Sequence, residues 1–116
     1  MGETQSAALG DSKFPRRGGA VDRFLYLLSV AHSDRPGEFE RVLGGVKGRG
    51  RRVHFARSAK EIEASGRSTD PKNIPGSKFW VLTNSPTEQK REMLAHALEV
   101  LGYSAAAIDD AVRAVK

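Results

Sequence analysis

Cysteine is absent from the 116-residue chain. That absence excludes disulfides, thiolate nucleophiles and sulfur-ligated zinc, and it suits a protein of the cytoplasm. No unbroken apolar run approaches the ~20 residues that a membrane-spanning helix requires. The N-terminus carries neither a signal-peptide pattern nor a persuasive lipid-anchor motif, so no membrane partner is expected. Histidine is scarce: His32, His54 and His96 stand at spacings that fit neither a metal site nor a catalytic triad. No metal, no cofactor and no enzymatic activity are therefore expected. Asp109-Asp110 reads as solvated charge on a terminal helix, and Phe79 and Trp80 as core residues rather than base-stacking ones.

Positive charge, by contrast, is abundant and unevenly placed. The formal net charge is +5. Residues 1–57 carry eleven Lys/Arg against six Asp/Glu, and residues 58–116 carry eight of each. The whole excess sits in the first half, an asymmetry that favours a polyanionic partner over a uniformly solubilising surface.

The length favours one domain. Residues 1–19 are polar and glycine-rich and read as a disordered basic tail; the folded domain spans residues 20–116. Val21, Phe24, Leu25 and Leu28 recur at helical spacing, which predicts a helix over residues 20–31. A second short helix is expected from Pro36 to Leu43, stopped by Gly44-Gly45. Val53-His54-Phe55-Ala56 reads as a strand with His54 on the opposite face from Val53 and Phe55. Ser58-Ala59-Lys60-Glu61 is a capping box that opens a short helix. Residues 67–78 form a long connection with one extended piece near Asn73-Ile74. Phe79–Thr83 carries the strongest strand signal. Ser85 as N-cap, Pro86 at the first helical position and Glu88 then open a long helix bearing Met93, Leu94, Ala97, Leu98 and Leu101. Gly102 ends it, and Ser104 caps a last helix with Ile108, Ala111, Val112 and Val115 inward. The pattern is α+β, with several helices packed on a very small sheet.

Two segments can carry chemistry. Lys47, Arg49, Arg51, Arg52 and Arg57 fall within eleven residues with no acid among them in sequence. Glycines interleave with these cations, so the backbone can approach phosphates closely, and arginine can fork onto guanine in a major groove. The segment is no P-loop, because it lacks the Gly-Lys-Ser/Thr ending and precedes a strand. The second segment, Thr83-Asn84-Ser85-Pro86-Thr87, stands where a strand hands over to a helix. Free N–H groups at a helix start suit a phosphate near Thr87. Asn84 and Ser85 are the candidates for reading base edges. The plainer alternatives are a solvated charge run and an ordinary helix cap.

Arg23–Ser29, Arg52–Ala56 and above all Pro71–Asn84 carry a resemblance. From about Ala20 to Val115 the chain resembles the C-terminal DNA-binding domain of the SeqA family, negative modulators of replication initiation. The resemblance implies a monomeric module with a small antiparallel sheet, here three-stranded. It also implies binding of double-stranded DNA at GATC sites whose adenine is N6-methylated on one strand. The family's Arg-Thr-Arg segment falls on Gly50, Arg51 and Arg52, so its first arginine is lost and Arg49 or Arg51 is left to cover that contact. The family's Asn-x-Asn loop falls on Asn84, Ser85 and Pro86, and proline has no side-chain hydrogen-bonding group. Full-length members carry an N-terminal oligomerising segment, whose character residues 1–19 lack. The chain is thus expected to act as a single reader or to be a fragment. The expected function is occlusion of adenine-methylated sites by a nucleoid-associated cytoplasmic protein. Three rivals stay open: a nucleic-acid binder without methyl preference, a DNA-processing enzyme, and a protein-interaction module with an acidic partner.

Overall fold

The computed structural model describes residues 19–43 and 53–115. The expected tail at residues 1–19, apart from Gly19, and the Gly44-Gly45 stop lie outside the described residues. Within them are five α-helices and a three-stranded antiparallel sheet.

Helix α1 spans Ala20–Asp34 and buries Phe24, Leu27, Leu28 and Ala31, the 3/4 spacing of an amphipathic face. It runs three residues beyond the sequence expectation, to a C-cap at Arg35. The expected helix from Pro36 to Leu43 is broken in two. Pro36–Glu38 is a 3-10 turn begun by the proline, and α2 is Glu40–Leu43. Phe39, between them, is fully buried, and the break lets its ring turn onto Phe79 at 5.1 Å. His32 meets both rings edge-on, at 5.4 and 5.7 Å.

The sheet order is β1 (Phe55–Ala56), β3 (Trp80–Leu82), β2 (Pro71–Asn73). The first strand is shorter than expected: Val53 and His54 are outside the regular ladder. His54 is buried, at 5% exposure. The extended piece of the 67–78 connection is Pro71–Asn73, which takes in Asn73 but not Ile74. Pro71 fits there because β2 is an edge strand, where a missing N–H breaks no ladder bond. In the central strand Val81 and Leu82 are both fully buried. Consecutive strand residues point to opposite faces, so both faces of β3 are covered. Helix α3 (Ala59–Ala64) packs across all three strands.

Helix α3 begins at Ser58, whose hydroxyl accepts from the Glu61 N–H at 3.3 Å. The reciprocal bond of the capping box is displaced by one residue: Glu61 accepts from the Arg57 N–H. Helix α4 (Thr87–Val100) and α5 (Ala105–Ala114) pack against each other, and α4 also touches α1 and α2. Between α4 and α5 the N–H groups of Tyr103 and Gly102 return to the carbonyls of Leu98 and Glu99, both at 3.0 Å. This Schellman pairing needs the left-handed φ of +90° that Gly102 supplies. Arg35 then donates to the Leu101 carbonyl and lies 4.4 Å over the Tyr103 ring. The Tyr103 hydroxyl donates to Asp34 at 2.7 Å; burial and the neighbouring Asp34 carboxylate raise its pKa well above the usual phenol range. One corner thus ties the end of α1 to the end of α4.

Candidate nucleic-acid interface

The antiparallel register pairs Phe55 with Val81 and Ala56 with Trp80. In such a pair the chain enters one strand at the end where it leaves the other. The start of β1 therefore lies beside the exit of β3, which leads straight to Asn84. Two contacts bear this out. The Leu82 N–H donates to the His54 carbonyl at 2.8 Å, and the His54 ring meets the Gln89 amide in the first turn of α4 at 3.2 Å. Lys47, Arg49, Arg51 and Arg52, the cations expected to grip phosphate, lie outside the described residues.

The β3–α4 turn is described fully. Thr83 is buried and Asn84 exposed. The N–H groups of both donate to the Thr69 carbonyl, at 3.3 and 3.2 Å. The Thr83 hydroxyl donates to the Asp70 carbonyl at 2.5 Å, and the Asn84 side-chain amide donates to the Ser68 carbonyl. Ser68 and Asp70 hold φ of 52° and 47°, a left-handed conformation that costs a non-glycine residue roughly 1–2 kcal/mol. Residues 68–70 thus form a second turn bonded along the first. The sequence showed no sign of this partnership, because Ser-Thr-Asp-Pro reads as generic loop.

Two expectations at this turn are corrected. Ser85 is not the N-cap of α4. That position belongs to Pro86, and no side chain caps the helix start. The reason is a tight turn: the Ser85 N–H donates to the Thr83 carbonyl at 2.9 Å, so Ser85 belongs to that turn and the helix starts one residue on. The Ser85 hydroxyl is buried, with no hydrogen-bond partner among the described residues, so base contact through it requires another rotamer. Thr87 is the first residue of α4 and half-buried.

Lys90, one turn into α4, is buried to 4% exposure and donates through its ammonium to the Ser85 carbonyl. Burial lowers its pKa. A lysine in a helix reads as surface in sequence, so its position here was missed.

The fifth cation of the basic segment, Arg57, does have an acid beside it. Its guanidinium bonds one carboxylate oxygen of Glu40 at 2.6 and 3.1 Å. The hydrogen bond and charge of Arg57 hold the exposed Glu40 carboxyl below its usual range, with Lys78 adding attraction, while Glu40 raises Arg57. The correction is spatial, since seventeen residues separate the two in sequence. Arg57 is thus ion-paired, with its side chain still largely exposed. On the far side of the 68–70 turn, half-buried Trp80 shares a shallow depression with Glu63 and Asp70; their acidity disfavours phosphate there. Among the described residues no group of three His, Asp or Glu could hold a metal ion, and no helix is long and apolar enough to cross a membrane.

Comparisons with known proteins identify the family. The model of the SeqA protein C-terminal domain matches residues 4–114. A negative modulator of initiation of replication from Idiomarina loihiensis is 49% identical over 74% of this chain and 52% of its own length. One from Proteus mirabilis is 39% identical over 92% of this chain and 57% of its own. The chain thus spans about half the length of these curated relatives. The crystal structure of V. cholerae SeqA superposes with a TM-score of 0.85 at 28% identity, covering 98% of this chain and 96% of that one.

Proposed function

The chain belongs to the SeqA family through its C-terminal domain, and from that premise we propose that it binds double-stranded DNA without catalysis and occludes adenine-methylated, GATC-like sites. Modulation of replication initiation, the role named for the relatives, is the cellular consequence of that occlusion. Residues 20–116 form the binding domain, a monomeric unit of a nucleoid-associated cytoplasmic protein, and residues 1–19 are a basic tail.

The observation that carries the reading is the antiparallel register of β1 and β3. Arg52 and Arg51 precede Val53 by one and two residues, and successive Cα atoms are ~3.8 Å apart. Val53, the first described residue after this arginine pair, leads into β1 at the sheet end where Asn84 leaves β3, and this supports a shared surface. Arg49, Arg51, Arg52 and Lys47 anchor phosphates, with one arginine able to fork onto guanine. Asn84 and Ser85 meet base edges, and the uncapped start of α4 at Thr87 lies toward phosphate. N6-methyladenine keeps one amino hydrogen and adds an apolar group in the major groove, against which a close-fitting turn packs.

Titration of the protein against unmodified, hemimethylated and fully methylated GATC duplexes of equal length, at fixed salt, tests the reading. Preference for a methylated duplex is expected. A second reading, a duplex binder indifferent to methylation, is favoured by one observation: Asn84 spends an amide hydrogen on Ser68, and Pro86 offers no group in its place. Equal affinities for the three duplexes would select it. Sustained strand cleavage by clean protein would overturn both.

A further inference from the structure

Lys90 breaks two local rules at once. A buried ammonium is stable only when paired or fully hydrogen-bonded, yet among the described residues no carboxylate lies within ion-pair distance of it, and its one described side-chain bond goes to a neutral carbonyl. It also sits in the first helical turns of α4, the positive end of the helix dipole, where a cation is unfavourable. Residues that break such rules without local compensation concentrate at functional sites.

The carbonyl that Lys90 holds belongs to Ser85, the residue after Asn84. The chain here is pinned from two sides. Thr69 accepts the Thr83 and Asn84 N–H groups on one side, and Lys90 grips the Ser85 carbonyl on the other. Removal of the second grip releases the Ser85 carbonyl and leaves Ser85 held only through its N–H on the Thr83 carbonyl, and Asn84 is carried on the adjoining peptide. Resting on the DNA-binding reading above, we infer that Lys90 is a positioning residue for the base-reading turn, holding Asn84 in its DNA-competent place through the Ser85 carbonyl at the expense of the free protein's stability.

Lys90→Met keeps the length and apolar stem and removes the charge and the donor. Its melting temperature is expected to equal or exceed that of the parent chain. Its affinity for a hemimethylated GATC duplex falls about tenfold, while affinity for a shuffled unmodified duplex falls far less. In a double-mutant cycle with Asn84→Ala the two losses on the GATC duplex do not add, because both act through one side chain. A merely structural lysine gives the opposite pattern: a lower melting temperature and equal loss on both duplexes, which overturns the inference. So does unchanged discrimination, or additivity in the cycle. Should Lys90→Met fail to fold, Lys90→Gln, which keeps an N–H donor without the charge, is judged on the same duplex discrimination and the same cycle. If the parent protein binds no duplex at low salt, the DNA-binding reading itself has failed and this inference falls with it. If the parent discriminates and the Lys90 variant discriminates equally, only the inference falls.

Discussion

The helical scaffold and the sheet end differ in how they treat the ordinary rules of folding. In the scaffold, α1, α4 and α5 bury apolar stripes at helical spacing, Ser104 caps α5 with its hydroxyl on the Ala107 N–H, and Gly102 supplies the one left-handed residue their junction needs. At the sheet end Ser68 and Asp70 take left-handed backbone without being glycine, the start of α4 has no side-chain cap, the Ser85 hydroxyl is buried without a described partner, and Lys90 is buried without a counter-ion among the described residues. The scaffold is built for stability. The sheet end gives stability up, which is the pattern expected where a surface must meet a partner.

The sharpest way to break that contrast is a cavity in the scaffold. Leu94→Ala, at a fully buried position, is expected to cost about 2–5 kcal/mol in chemical denaturation, with duplex discrimination unchanged in the fraction that remains folded. Asn84→Ala should do the reverse. It should remove roughly 1–3 kcal/mol of preference for the methylated duplex over a shuffled one, read by titration at fixed salt, with a much smaller change in melting temperature. A result in which the two variants behave alike would erase the division.

Gly102→Ala places a Cβ at φ +90°, 3.1 Å from the Arg35 guanidinium. A loss of roughly 1–2 kcal/mol is expected, visible as a lowered denaturation midpoint with binding intact. Ser68→Gly goes the other way. Relief of the left-handed backbone outweighs the added freedom of the unfolded chain, for a net gain of about 1 kcal/mol or less. Destabilisation by this change would show that the turn is not strained. The smallest expected effect belongs to His32. Burial lowers its pKa below the ordinary 6.5, so the folded state favours the neutral ring, and the unfolded chain takes up the proton first as pH falls. Stability from this group is full above pH 6.5 and declines below it. His32→Leu should flatten the fall in melting temperature just under that pH.

The division also marks what the sequence revealed. The long periodic segments of α1, α4 and α5, and the Trp80–Leu82 strand, were legible because packing and periodicity agree there. Where local signals competed, boundaries moved. Ser85 and Pro86 both look like helix starters, and the tight turn onto Thr83 decided for Pro86. The Glu40–Arg57 pair and the bond from Asn84 to Ser68 join residues seventeen and sixteen apart, and counting charges along a chain cannot find such contacts. Lys90 was hidden for a related reason: burial of a lysine is set by what folds over it, and the turn that covers it is itself fixed by residues 68–70.

Pro71 has a consequence that reaches past the single molecule. It opens β2, the outer strand, opposite Leu82, while the other margin of the sheet, β1, is only two residues long. An incoming strand from a neighbouring copy finds almost no ladder to extend on either side. Neighbouring copies at high local concentration can therefore stand shoulder to shoulder without zippering into an aggregate.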